Sequence, residues 1–160
     1  MNRAEEIVAL EHLAQDAVES FSEWARNRGV ELGVVVGEVG LRVRGVRVQL
    51  MQALQHVMIN AVESCRKDGG EVVVRLRRDQ ELAVMEIADR GGGMEPETWA
   101  RTLEPGLAQG MADADGPVWT MTKRIILQHL GCMALSSWAG GVTRTTIWLP
   151  LCLEGPSILP

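Results

Sequence analysis

From about Arg3 to Arg28 the apolar residues Leu10, Leu13, Ala17, Phe21 and Trp24 recur three or four positions apart with polar residues between them. That spacing predicts an amphipathic helix, and Gly29 supplies its stop. VELGVVVG and LRVRG then predict two short strands joined at Gly37–Gly40. The helical period returns from about Val46 to Lys67, where Leu50, Leu54, Val57, Met58, Ala61 and Cys65 face a core, and Asp68-Gly69-Gly70 ends it. EVVVRLRR and ELAVMEIA flank Asp79-Gln80 and predict a hairpin. Pro96 to Leu103 reads as a short helix, and Glu104 to Gly116 (EPGLAQGMADADG) as a loop with almost nothing to bury. A third long helix is expected over Val118 to Leu130, followed by the strands MALSSW and TRTTIWLP hinged at Gly140-Gly141.

The order is helix, two strands, helix, hairpin, short helix, loop, helix, hairpin. Strands grouped in this way predict an α+β fold, a two-layer sandwich with a mixed sheet of about five strands. The three main helices, near residues 3–28, 46–67 and 118–130, would cover one face. Alternating βαβ units, which would imply a doubly wound sheet, are absent. With 160 residues, one core and one domain over 1–160 are expected. The N-terminal helix would occupy 1–28, and 151–160 would form a C-terminal tail.

Charge narrows the range of partners. Sixteen basic and 21 acidic residues give a net charge of −5, which argues against a broad nucleic-acid or anionic-membrane surface. Cys65, Cys132 and Cys152 are odd in number and widely spaced, so they read as buried free thiols in a reducing compartment. MNRAEEIVALEHL interleaves charge with apolar residues, unlike a signal peptide. No run approaches the roughly 20 apolar residues of a membrane helix. A cytoplasmic domain without membrane contact is expected.

Three segments carry candidate chemistry. The first is DRGGGM, Asp89 to Met94, directly after an alternating strand. A strand-end carboxylate can accept hydrogen bonds from an exocyclic amine, and glycines let a flat base approach the backbone. The second is Asn60, with His56 one turn earlier on the same helix face; an Asn amide can ligate a Mg²⁺ ion held mostly by phosphates and water. The third is the 104–116 loop feeding a helix, because helix N-termini and nearby glycine backbone bind phosphate. Each alone also reads as ordinary structure: a solvated helix flank, a turn, a surface loop.

Taken in order, these segments resemble the ATP-binding domain shared by sensor histidine kinases, type II topoisomerases, mismatch-repair ATPases and heat-shock-90 chaperones. HVMINAVESC is similar to the kinases' asparagine box, and IADRGGGM to the first glycine box. TLEPG, Thr102 to Gly106, is similar to the Phe-Glu-Pro-Phe box, TKRIILQHLG to the helix ending in His-Gly-Gly, and SSWAGGVTRTTIWLP to the closing hairpin. The resemblance covers about residues 3 to 150. It implies that Asn60 coordinates Mg²⁺, that Asp89 hydrogen-bonds the adenine amine of ATP, and that Gly91, Gly93 and Met94 shape the pocket wall. Residues 104–116 would be the ATP lid. His56 and Asn60 would form the catalytic pair; topoisomerases and chaperones carry at position 56 a Glu that activates water, so His56 suits a phosphotransferase. Its acceptor would be a histidine on a phosphoacceptor and dimerisation domain, in the same longer chain or a separate one, with a response regulator as the indirect partner.

The second glycine box departs from that pattern. Ala114-Asp115-Gly116-Pro117-Val118-Trp119 keeps only Gly116 of three glycines, Pro117 removes an N–H, and Asp113 and Asp115 add negative charge. Lys123 and Arg124 are the cations available to replace the lost phosphate contacts. Two readings follow: a working kinase domain with a divergent lid, or a degenerate ATPase-like docking module that holds ATP and Mg²⁺ weakly or not at all. His12 is expected on the surface, and His129 at a helix C-terminus where an imidazole meets the dipole.

Overall fold

The computed structural model describes residues 5–65, 70–89, 120–138 and 142–152. Its elements are β1 (Glu6–Ala9), α1 (Leu10–Arg26), β2 (Val30–Val36), β3 (Arg42–Gly45), α2 (Arg47–Ser64), β4 (Gly70–Asp79) and β5 (Leu82–Asp89). A third helix, α3, covers residues 120–128, and β6 (Cys132–Trp138) and β7 (Val142–Pro150) close the chain. Five strands form one mixed sheet in the order β2-β4-β5-β7-β6. The β2–β4 ladder is parallel and the other three are antiparallel. This is the α+β architecture that the periodicity predicts.

Side-chain alternation divides the sheet into a core face and a polar face. On β4, Val72, Val74 and Leu76 are buried while Glu71, Arg75 and Arg77 are exposed. The core face of β5 carries Ala83, Met85 and Ile87, all buried. On the other face Glu86 sits between two guanidinium groups, 3.5 Å from Arg77 of β4 and 3.6 Å from Arg144 of β7. The helices supply the second layer of the core through Leu10, Leu13, Ala14 and Ala17 of α1, Leu50, Leu54, Val57 and Met58 of α2, and Ile125 and Ile126 of α3. Each such large side chain contributes roughly 1.5–3 kcal/mol on burial.

The start of the chain differs from expectation. The first helix begins at Leu10, not near Arg3, because Glu6–Ala9 is extended and pairs antiparallel with Arg42–Gly45. The expected pairing of VELGVVVG with LRVRG does not form either. β2 joins the main sheet beside β4, whereas β3 pairs with β1 in a separate two-stranded sheet. Non-local ladders therefore replace the local hairpin. The β4–β5 hairpin forms as predicted, with its turn at Gln80-Glu81, one position later than expected, and Gln80 at φ +56°. The expected short helix at 96–103, the 104–116 loop, the glycine hinge at 140–141 and most of the C-terminal tail lie outside the described residues.

Candidate functional site

Helix α2 buries Leu50, Ala53, Leu54, Val57, Met58, Ala61 and Val62, a stripe at three- and four-residue spacing. Beside it runs a half-buried flank of Gln52, His56 and Asn60, one turn apart from each other. That flank meets α3 at residues 121 and 122. The Gln52 amide approaches Met121 Sδ at 3.9 Å, and His56 Nδ1 lies 3.3 Å from the Thr122 hydroxyl. Thr122 is fully buried. Burial pushes the His56 imidazole below its usual pKa, so the ring is neutral at physiological pH.

Asp89 ends β5, between Val72 of β4 and Thr143 of β7 in the register. It lies on the same face as Met85 and Ile87, toward the helices. At 1 % exposure it is a buried carboxylate, an arrangement that requires polar partners. Its charge reaches Cys65, the C-cap of α2. The Cys65 thiol is pushed up to about 11, chiefly by burial and secondarily by the Asp89 carboxylate. The C-terminal end of α2 and the end of β5 therefore meet, and Asn60, five residues before Cys65, stands at that same end of the domain. At 1.5 Å of rise per residue the separation along the helix is roughly 8 Å.

Among the residues predicted for the site, the structure thus gathers Asn60, Asp89 and His56 around the C-terminal half of α2. Lys123 and Arg124 are solvent-exposed. Arg124 is on the side of α3 opposite Thr122 and Ile126, and Lys123 is on its flank. Gly91, Gly93, Met94 and Gly116 lie outside the described residues. The residues present fit a purine and a divalent cation: a buried strand-end carboxylate suits an exocyclic amine, and a half-buried amide suits one position of a mostly hydrated Mg²⁺. Among the described residues no cluster of three or more His, Cys, Asp or Glu could hold a metal by itself.

Sequence reasoning missed Thr122, Gln52 and Cys65 as neighbours of this region. No local spacing announces a contact between residues more than sixty positions apart, such as His56 with Thr122. It also missed the part played by His129. Its Nε2 accepts the Val46 backbone N–H at 3.1 Å and its Nδ1–H donates to the Ile125 carbonyl at 2.8 Å. One neutral ring thus joins the start of α2, which has no side-chain cap of its own, to the end of α3. This replaces the expected role of a charge on the helix dipole, since Nε2 can accept only while unprotonated. A cleft of about 470 Å³ lined by Arg44, His129, Pro150 and Cys152 lies nearby. Pro150 pairs with Leu82, so the cleft is at the opposite end of β5 from Asp89.

Known proteins share both sequence and fold with this chain. It is 26% identical over 113 residues to the sensory histidine kinase/phosphatase NtrB of Proteus hauseri, covering 64% of this chain and 32% of that protein. It is 24% identical over 144 residues to the sensor histidine kinase ZraS of Salmonella typhi, covering 90% of this chain and 31% of that one. The chain therefore spans about a third of the length of these relatives. Full-length ShkA in complex with AMPPNP superposes with a TM-score of 0.75 at 21% identity, over 95% of this chain and 32% of that one. The catalytic domain of histidine kinase ThkA superposes at 0.71 and 16% identity, over 92% and 96%. These superpositions establish the fold. The sequence profile of the histidine kinase-, DNA gyrase B- and HSP90-like ATPases matches residues 45–153, from the residue before the α2 N-cap to beyond β7, and the chain belongs to that family.

Proposed function

We propose that this domain is the cytoplasmic, ATP-binding catalytic portion of a sensor histidine kinase. It transfers the γ-phosphate of ATP to a histidine on a separate phosphoacceptor and dimerisation domain, from which a response regulator is served. The observation that carries this reading is the buried carboxylate of Asp89 at the end of a central strand, on the helix-facing side and at the same end of the domain as Asn60. Asp89 accepts the adenine amine, and a base that lacks that amine forfeits a charge-assisted hydrogen bond. Asn60 holds Mg²⁺, which neutralises phosphate charge when bound. Position 56 holds a histidine tied to Thr122 where a hydrolase of this family would hold a water-activating carboxylate, which favours transfer over hydrolysis.

Titration calorimetry of the 160-residue chain with ATP, with and without Mg²⁺, tests the binding half. Measurable affinity strengthened by Mg²⁺, and a tenfold or greater loss in Asp89→Asn, are expected. Heat-free titrations to millimolar ATP would overturn the reading. The transfer half is tested by supplying a histidine phosphoacceptor domain in trans with labelled ATP and looking for acid-labile phosphate on it. Steady release of inorganic phosphate without protein labelling would identify a hydrolase instead.

A further inference from the structure

Gln52, His56 and Asn60 stand one turn apart on the flank of α2. The first two touch α3 at adjacent residues, Met121 and Thr122, and the third is the candidate metal ligand. We infer that His56 is a positioning residue: through its hydrogen bond to Thr122 it fixes where the Met121–Thr122 turn of α3 sits relative to Asn60, and so sets how Mg²⁺ and the nucleotide phosphates meet. The inference rests on the nucleotide-binding reading above and assigns His56 no proton transfer.

Three observations support it. The His56 Nδ1 that faces α3 is engaged by a hydroxyl with no solvent exposure. Burial holds the imidazole neutral, so the ring adds no positive charge toward a phosphate. Thr122 also stands six positions after Gly116, the glycine retained in the second glycine box. Where that box has lost two glycines, the placement of α3 falls more heavily on side-chain contacts. A displacement of about 1 Å in such a support is enough to weaken a positioned interaction severely.

The geometry separates Nδ1 from Nε2, and that yields a discriminating pair of variants. An Asn amide places its polar atoms on Cγ, where His56 carries Nδ1; a Gln amide places them one carbon further out. His56→Asn is therefore expected to retain wild-type binding and His56→Gln to lose it. Thr122→Ser keeps the hydroxyl and is expected to retain binding, whereas the isosteric Thr122→Val loses it. The loss expected for Mg-ATP is about five-fold or more, the worth of one hydrogen bond of this kind, with adenosine affinity changed less than about two-fold. Calorimetry of the 160-residue chain with Mg-ATP and with adenosine, alongside thermal melts, gives the result. Melts lowered with an unchanged ATP-to-adenosine ratio, or Gln rescuing as well as Asn, would overturn the inference while leaving nucleotide binding intact. A wild-type chain that binds neither ligand would instead overturn the nucleotide-binding reading, and the inference with it.

Discussion

Alanine at Gly45, made once with His129 present and once with it removed, measures the joint between α2 and α3. A Cβ on Gly45 would stand 2.4 Å from His129 Cδ2 and 2.8 Å from Nε2, so the ring must move. Moving it breaks the 3.1 Å bond from the Val46 N–H and the 2.8 Å bond to the Ile125 carbonyl. At roughly 1 kcal/mol each, Gly45→Ala should cost about 2 kcal/mol. His129→Ala loses the same bonds and part of the packing of the ring, for about 3 kcal/mol. Once the ring is gone, the two tightest contacts vanish and the nearest remaining atom is Leu50 Cδ1 at 3.1 Å, the end of a flexible side chain. Gly45 is not among the positive-φ glycines, so alanine suits its backbone, and the stiffer unfolded chain returns about 0.4–1 kcal/mol. Gly45→Ala should then be close to neutral in the His129→Ala background, giving a coupling energy of about 2 kcal/mol. In a chain of this size the Gly45→Ala melt falls by about 4–8 °C, and the double variant melts with His129→Ala alone. Urea unfolding followed by circular dichroism supplies the four free energies. Additivity to within about 0.5 kcal/mol would refute the joint.

Other outcomes follow from the same fold. Asp89→Asn removes the second of the two causes that raise the Cys65 thiol, so Cys65 should react faster with iodoacetamide at pH 8 than in the wild type; an unchanged rate would place the carboxylate elsewhere. His56 binds its proton less readily when folded, so the unfolded chain takes up more protons below its usual pKa of about 6.5, and stability should fall as the pH drops from 7 to 5. His56→Asn should flatten that part of the denaturation-against-pH curve. Leu130, in the turn after α3, has φ +64° and 82 % exposure, and its N–H and that of Gly131 donate back to the Leu127 and Ile126 carbonyls. Leu130→Gly relieves about 1–2 kcal/mol of left-handed strain against a smaller entropic cost, so the melt should rise slightly; a fall would show that the leucine makes contacts of its own.

What could be read in the sequence was set by range. The α2 stripe from Leu50 to Val62 and the β4–β5 hairpin depend on neighbours within a few residues, and both were legible. Glu6–Ala9 was not, because Ile7 continues the three-residue apolar rhythm of Leu10 and Leu13, while the strand partner of Val8, Val43, lies far along the chain. Gly37–Gly40 looked like a hairpin turn for the same reason: nothing local reveals that Val30–Val36 prefers β4. At the site, DRG after an alternating strand pointed to Asp89, but only the assembled sheet and helices make it a buried carboxylate. Asn60 was singled out from its motif, and the structure puts it half-buried on the α2 flank. The contact of His56 with Thr122 and the double attachment of His129 are tertiary facts.

The order of strands in the main sheet also dictates how the chain must search for it. β4 and β5 meet across a two-residue turn, and pair from Asp79 with Leu82 outward. Every β2–β4 pair, from Val30 with Gly70 to Val36 with Leu76, spans forty positions, and Leu82 must find Pro150. Closing such loops costs entropy before any contact rewards it. The β4–β5 hairpin with α2 packed on it is therefore the natural nucleus, and β2 and β7 add later on either side. Core truncations at Val74 or Ile87 should slow refolding, whereas Val30 or Leu149 should mainly speed unfolding. The end of β5 that bears Asp89 would thus form before the strand that flanks it on the β7 side.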